Sequence, residues 1–162
     1  MMMKAGTVTK GRSPGKSLSF MEQALEEARI AAGRGEVPVG ALIVRGDKII
    51  ARAHNRTIEL HDPTAHAEML AIREAGQALA SARLEACDLY VTLEPCAMCA
   101  AAISHARIRR LYFGAEDVKG GAVENGVRFF DAETCHHRPE IYGDIDGARA
   151  GDLLKAFFKA RR

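Results

Sequence analysis

Four residues in this chain have the types and spacing of a metal site beside a proton carrier. In Thr64-Ala65-His66-Ala67-Glu68 an imidazole precedes a carboxylate by two positions; in Pro95-Cys96-Ala97-Met98-Cys99 two thiols stand three apart. One imidazole and two thiolates hold a zinc ion tetrahedrally and leave its fourth position open for water. Glu68 is then placed to move that water's protons. Cysteines at i and i+3 share a helix face, so both sulfurs converge on one ion. In the first turn of a helix they also meet the positive end of its dipole, which favours thiolate. His66 and Glu68, in contrast, stand about 200° apart on an ideal helix. Their spacing makes sense if Glu68 points to the ion's open side rather than to its ligand side.

Other uses of the same residues explain less. A zinc ribbon requires a second Cys-x-x-Cys, and the sequence has none. A redox dithiol leaves His66 and Glu68 without a role. A histidine alone is more often a satisfied helix residue than a ligand, but with Glu68 and the downstream pair it reads as part of one catalytic zinc site per chain. Cys87 and Cys135 are left over and read as ordinary thiols.

The elements that must position these residues follow from periodicity. At 162 residues and 48% apolar composition the chain supports one domain with a real core. The opening segment 1–17 is basic, rich in Gly and Ser, and reads as a disordered leader without the apolar stretch of a signal peptide. No run is long and apolar enough for a membrane span. Cysteine usage without an export signal suggests reduced thiols in the cytoplasm. Charge is polarised despite a net +2: Lys4, Lys10, Arg12 and Lys16 near the start, Lys155, Lys159, Arg161 and Arg162 at the end. Such basic ends on a slightly acidic body suit a polyanion or mark two solvated termini.

Ser19-Phe20-Met21-Glu22 predicts a capping box opening a helix that Gly33 and Gly35 end. Residues 39–44 form an apolar, β-rich run predicted to be a strand buried on both faces, turned by Gly46-Asp47-Lys48 into a second strand over 49–53. Asp62-Pro63 predicts the start of a second helix, with His66 in its first turns. A strand over 89–93, a helix opened by Pro95, a strand over 108–113, a short edge strand at Ile141-Tyr142 and an amphipathic helix over 152–160 complete the order. That order predicts a three-layer α/β domain with a mixed sheet.

His-x-Glu followed by Pro-Cys-x-x-Cys is a signature of zinc nucleobase deaminases. Glu36-Val37-Pro38-Val39-Gly40, the run from His61 to Glu68, the run from Tyr90 to Cys99, the run from Phe113 to Lys119 and the run from Phe157 to Arg162 resemble the bacterial tRNA-specific adenosine deaminase (TadA) family. The resemblance covers residues 18–162 as a single zinc-dependent deaminase domain. It implies the cytidine-deaminase-like fold, an α/β/α sandwich around a mixed five-stranded sheet. It implies hydrolytic deamination of adenosine to inosine at the wobble position of an arginine tRNA with an ACG anticodon, by a zinc-held hydroxide at C6 with Glu68 as proton shuttle. It also implies a homodimer.

Residue by residue, the resemblance gives Asn55 as a base contact, with a strand-end turn residue as the other reading. It gives Val37, Pro38, Val39 and Leu93 as apolar walls, and Ala67 as a substrate-binding position. Asp117 and Lys119 match a loop beside the RNA, and Lys159, Arg161 and Arg162 are placed to track phosphates of the anticodon stem. Residues 121–137 depart from the family pattern, notably at Cys135-His136-His137, whose histidines read as solvent-facing. Two alternatives stay open. A guanine or other free-base deaminase shares the core motifs, and a binding module with structural zinc does not need Glu68.

Overall fold

The computed structural model describes residues 9–10 and 16–162, with side chains from Phe20 onward. The elements are β1 (Thr9–Lys10), α1 (Lys16–Gly33), β2 (Gly40–Arg45), β3 (Lys48–His54), α2 (Ala67–Leu79), β4 (Asp88–Leu93), α3 (Ala97–Ala106), β5 (Arg110–Ala115), β6 (Glu140–Gly143) and α4 (Gly147–Ala160). Their sheet order is β1-β6-β5-β4-β2-β3. β2 runs antiparallel to both β3 and β4, while β4, β5, β6 and β1 run parallel to one another. The sheet is therefore mixed, its five principal strands being those expected. The two-residue β1 adds a sixth beyond β6, so Ile141-Tyr142 is not the edge. The rest of the basic segment 1–17 lies outside the described residues, apart from Lys16-Ser17 at the start of α1.

Alternation along the strands builds a core on each side of the sheet. Ala41, Ile43, Leu89, Val91, Leu111 and Phe113 face Ala67, Ala71 and Ala75 of α2 and Ala100, Ile103 and Ala106 of α3. Alanine at these helix positions lets both backbones lie close to the sheet. On the opposite face Leu42, Tyr90, Tyr112 and Tyr142 form one cross-strand row, with ring centroids 4.4 and 5.0 Å apart along the three tyrosines. Phe20, Met21, Ala24 and Leu25 of α1 and Ala150 of α4 cover that row. Gly40 makes the closest crossing: a Cβ there would lie 2.0 Å from the Ala24 carbonyl oxygen. Helices on both faces give the three layers.

Several element starts differ from expectation. α1 begins at Lys16, so Ser19 is inside the helix rather than its cap; the helix-breaking pair Pro14-Gly15 precedes it in sequence. α4 begins at Gly147, five residues before Asp152, because two helix-weakening glycines, Gly147 and Gly151, mask its first turns in the sequence. Asp62 does not open α2. Its Oδ1 accepts the Thr64 N–H (2.8 Å) and hydroxyl (2.7 Å), closing a local turn, and the helix waits until Ala67.

Candidate active site

β3 and β4 point the same way, each antiparallel to the strand between them, and β5 is parallel to β4. Their carboxyl ends and the amino end of β2 therefore share one edge of the sheet. That edge collects Val37-Pro38-Val39 before β2, Asn55 after β3, Leu93 to Cys96 at the end of β4, and Asp117 to Lys119 after β5. Segments scattered from Val37 to Lys119 meet at the edge where open α/β sheets bind ligands.

The two helices that start there carry the candidate metal donors, His66 and Cys96 at their caps and Cys99 in the first turn of α3. His66 is the N-cap of α2, with extended backbone (φ −73°, ψ 153°), and Cys96 is the N-cap of α3 (φ −74°, ψ 177°). The extended cap resolves the two-residue spacing: His66 is not helical, so its ring leaves the helix toward the cysteines while Glu68 sits in the first turn. His66 Nδ1 lies 3.6 Å from Cys96 Sγ and 3.5 Å from Cys99 Sγ, and the three donor atoms lie within 4.8 Å of one another. Nitrogen and sulfur donors of a tetrahedral zinc are about 3.6 Å apart. The donor set fits zinc in kind and in spacing. A hydrogen bond from Cys99 and the neighbouring His66 bring the Cys96 thiol down to about 4, whereas the Cys96 sulfur and burial push Cys99 up. A dication bound by these donors would displace that second proton.

Glu68 is 4% exposed, and burial pushes its carboxyl up to about 7, with the His66 ring pulling the other way. It enters no salt bridge to Lys or Arg among the described residues, which suits a group that exchanges protons. The Asn55 side-chain oxygen accepts the Ala67 N–H at 2.8 Å, tying the end of β3 to the first turn of α2 and leaving the side-chain NH₂ as donor. Around these groups Pro38, Val39 and Ala67 are buried and Val37 and Leu93 half-buried.

Two buried carboxylates at this edge have roles that the sequence does not announce. Glu36, 1% exposed, accepts the N–H groups of Ile58 (3.1 Å) and Glu59 (2.8 Å), holding the loop between β3 and α2. Glu94, 2% exposed, accepts from Asp117, Val123, Glu124 and Asn125. Burial alone would raise the Glu94 carboxyl, but these donors and the Asn125 side chain hold it below the usual carboxylate range. Both residues stand within the family-like motifs, but nothing in the sequence marks the distant backbone amides they bind.

Lys119, Lys159, Arg161 and Arg162 come together from two separate segments. With Lys155, Leu154 and Phe158 they line one open groove of about 770 Å³. Sequence alone did not single out Leu154, Lys155 and Phe158 as groove residues. Arg161 is partly committed: its guanidinium lies 3.6 Å over the Phe157 ring. His136 is exposed, but His137 is not the solvent-facing residue expected. Its Nε2 lies 2.7 Å from the Ile108 carbonyl oxygen and its N–H donates to Ser104 Oγ at 3.1 Å, so it staples the segment to α3 and to the connection between α3 and β5. All four cysteines are free, Cys87 buried and Cys135 half-buried. Among the described residues no helix is long and apolar enough to cross a membrane.

A sandwich that brings one imidazole and two thiols to a point beside a buried carboxylate has the make-up of a zinc-dependent deaminase. A family model of the cytidine and deoxycytidylate deaminase zinc-binding region matches residues 15–115. A tRNA-specific adenosine deaminase from Agrobacterium fabrum (strain C58) is 59% identical over 143 residues, 88% of this chain and 94% of the relative. A solved structure from biochemical and structural studies of A-to-I editing by tRNA:A34 deaminases at the wobble position of transfer RNA is 60% identical. It has a TM-score of 0.83 and covers 84% of this chain and 99% of its own. The guanine deaminase of Bacillus subtilis, also solved, is 40% identical with a TM-score of 0.58, over 60% of this chain and 63% of its own. The chain belongs to the tRNA-specific adenosine deaminase family of zinc-dependent deaminases.

Proposed function

We propose that this protein deaminates adenosine to inosine at the wobble position of an arginine tRNA with an ACG anticodon, using one zinc per chain. What supports the reading is the conjunction of a three-donor site beside buried Glu68 with a cationic groove on the same protein. His66, Cys96 and Cys99 would hold the ion, which would supply a Lewis-acidic position where water is nucleophilic near neutral pH. Glu68 takes one proton from the water and delivers it to N1 of adenine, so that C6 becomes electrophilic and bonds the water's oxygen; Glu68 then takes the second proton from that oxygen and passes it to the amino group, whose bond to C6 breaks as ammonia leaves and the oxygen stays as the carbonyl of inosine. Asn55 offers its NH₂ to an acceptor on the base. Val37, Pro38, Val39, Ala67 and Leu93 enclose the ring and exclude bulk water. The reading includes a homodimer working in the cytoplasm, where four free thiols suit a reducing medium.

The groove explains the choice of an RNA substrate. Lys119, Lys155, Lys159 and Arg162 present four cations, and Phe158, 46% exposed, gives them an apolar floor. Phosphates supply binding energy there that a free nucleobase lacks. A wobble base in an anticodon loop is already partly unstacked, which lowers the cost of bringing C6 to the site. Replacing Lys159, Arg161 and Arg162 with alanine is expected to weaken tRNA binding and to flatten its salt dependence. The log–log slope drops by about 0.7–0.9 for each phosphate that is no longer neutralised. Lys159 and Arg162 carry most of the change, because Arg161 is stacked on Phe157. An unchanged slope would return the segment to a solvated terminus.

A second reading, guanine deaminase, has the 40% identical Bacillus subtilis structure in its favour. One assay separates the two: ammonia release from the arginine tRNA, free adenosine, guanine and cytidine, with sequencing of the tRNA, where inosine reads as guanosine. The expected result is inosine in the tRNA and negligible ammonia from the free compounds. Rapid ammonia from guanine with an unedited tRNA replaces the first reading by the second.

A further inference from the structure

Glu94 stands two residues before Cys96, yet its hydrogen-bond partners lie 23 to 31 residues further along the chain. Oε1 accepts the Asp117 N–H at 2.9 Å and the Asn125 side-chain NH₂ at 2.8 Å. Oε2 accepts three consecutive backbone N–H groups, Val123 at 3.0 Å, Glu124 at 2.8 Å and Asn125 at 3.0 Å. Successive amides converging on one oxygen form a nest that an anion fills. The loop is packed on the carboxylate as well as bonded to it: a Cβ on Gly121 would fall 2.5 Å from Glu94 Cδ and 2.6 Å from Oε2.

The same loop is tied to the cysteine arm and to the groove. Ala122 N–H donates to the Pro95 carbonyl at 2.9 Å. Asp117 Oδ1 accepts the N–H groups of Lys119 (3.2 Å) and Gly120 (2.9 Å), closing the turn that presents Lys119 to the groove. Glu94 is thus a fixed point between the metal donors on one side and a groove cation on the other.

We propose that Glu94 is a positioning residue for RNA binding: its carboxylate clamps the 117–125 loop against the cysteine arm and so fixes Lys119 relative to the reacting base. The inference rests on the tRNA reading above, and it assigns Glu94 to binding rather than to chemistry. Glutamine at this position has the same length, but its NH₂ brings a donor into a ring of donors, and one half of the nest is left without an acceptor.

The test is Glu94→Gln in the full-length, zinc-loaded protein. The KM for tRNA is expected to rise about tenfold or more with kcat within about threefold, the pattern of weakened binding common to ground and transition states. Zinc per chain stays that of the wild type. Amide hydrogen exchange at Asp117 and at 123–125 accelerates by about 100-fold, while amides within β4 and β5 keep their protection. The exchange readout requires no substrate, so it judges the clamp even where the tRNA reading fails. If Glu94→Gln is not recovered folded, Asn125→Ala removes the side-chain NH₂ that donates to Oε1 and leaves the carboxylate and its backbone donors; a smaller rise in KM at constant kcat is then expected. Unchanged exchange at the loop amides, loss of zinc, or a fall in kcat at constant KM overturns the proposal.

Discussion

Glu68→Ala is expected to lose turnover on tRNA by about 10⁴-fold or more while keeping its zinc and its RNA affinity. General acid–base catalysis contributes typically about 10²–10⁴-fold, and in the proposed reaction one carboxylate serves the attack, the N1 proton and the leaving group in turn. Neither polar neighbour is free to replace it: His66 is committed toward the two sulfurs, and the Asn55 oxygen is committed to Ala67 N–H. The backbone, not Glu68, sets the positions of the three sulfur and nitrogen groups: His66 and Cys96 are the caps of α2 and α3, and Cys99 lies in the first turn of α3. Single-turnover kinetics, metal analysis and tRNA binding on the same preparation separate these effects. Turnover near that of the wild type would mean that a different group carries the protons.

The parts of the site that were legible in the sequence are those whose signal is local. Strands buried on both faces leave contiguous apolar runs, so 39–44 and 89–93 fall within about one residue of β2 and β4. That His66, Cys96 and Cys99 belong together was legible because few other arrangements use those residue types together, and the fold brings their ligand atoms within 4.8 Å of one another. Where each helix begins was less legible, because Asp62 has two local partners in Thr64 and takes them in preference to capping α2. That choice matters for chemistry: had the helix begun at Asp62, His66 would be helical and its ring would be turned about 200° from Glu68.

What could not be read is set by contacts between segments. Glu36 and Glu94 bind backbone amides, and an amide has no identity in a sequence. Their partners lie 22 to 31 residues away, so no local pattern points to them. The basic groove joins Lys119, on a loop after β5, to the last turns of α4, and only the fold brings these together. His137 departs from expectation for the same reason. Its partners, Ser104 and the Ile108 carbonyl, lie 33 and 29 residues earlier in the chain.

Cys99→Ser is expected to remove the zinc, with loss of activity and a large fall in stability together. Cys99 is fully buried in the first turn of α3, and its sulfur lies 3.5 Å from the His66 ring nitrogen at the head of α2. An ion held by these donors would cross-link the starts of two helices that face the sheet mostly with alanine, Ile103 being the large side chain of α3 there. Binding to the folded chain alone stabilises it by RT ln(1 + [L]/Kd), about 4 kcal/mol when free metal is 1,000-fold above Kd. For a chain of this size that corresponds to roughly 8–16 °C in melting temperature. Serine fits the space but is a poor zinc ligand at neutral pH, since its hydroxyl keeps its proton where a thiol yields one. Metal analysis is expected to give about one zinc per chain for the wild type and close to none for Cys99→Ser. Thermal unfolding of the wild type treated with a chelator is expected to match that of the variant. Equal zinc in both proteins would show that the ion is held elsewhere. A variant without zinc but with an unchanged melting temperature would show that the two helix ends are fixed by packing alone.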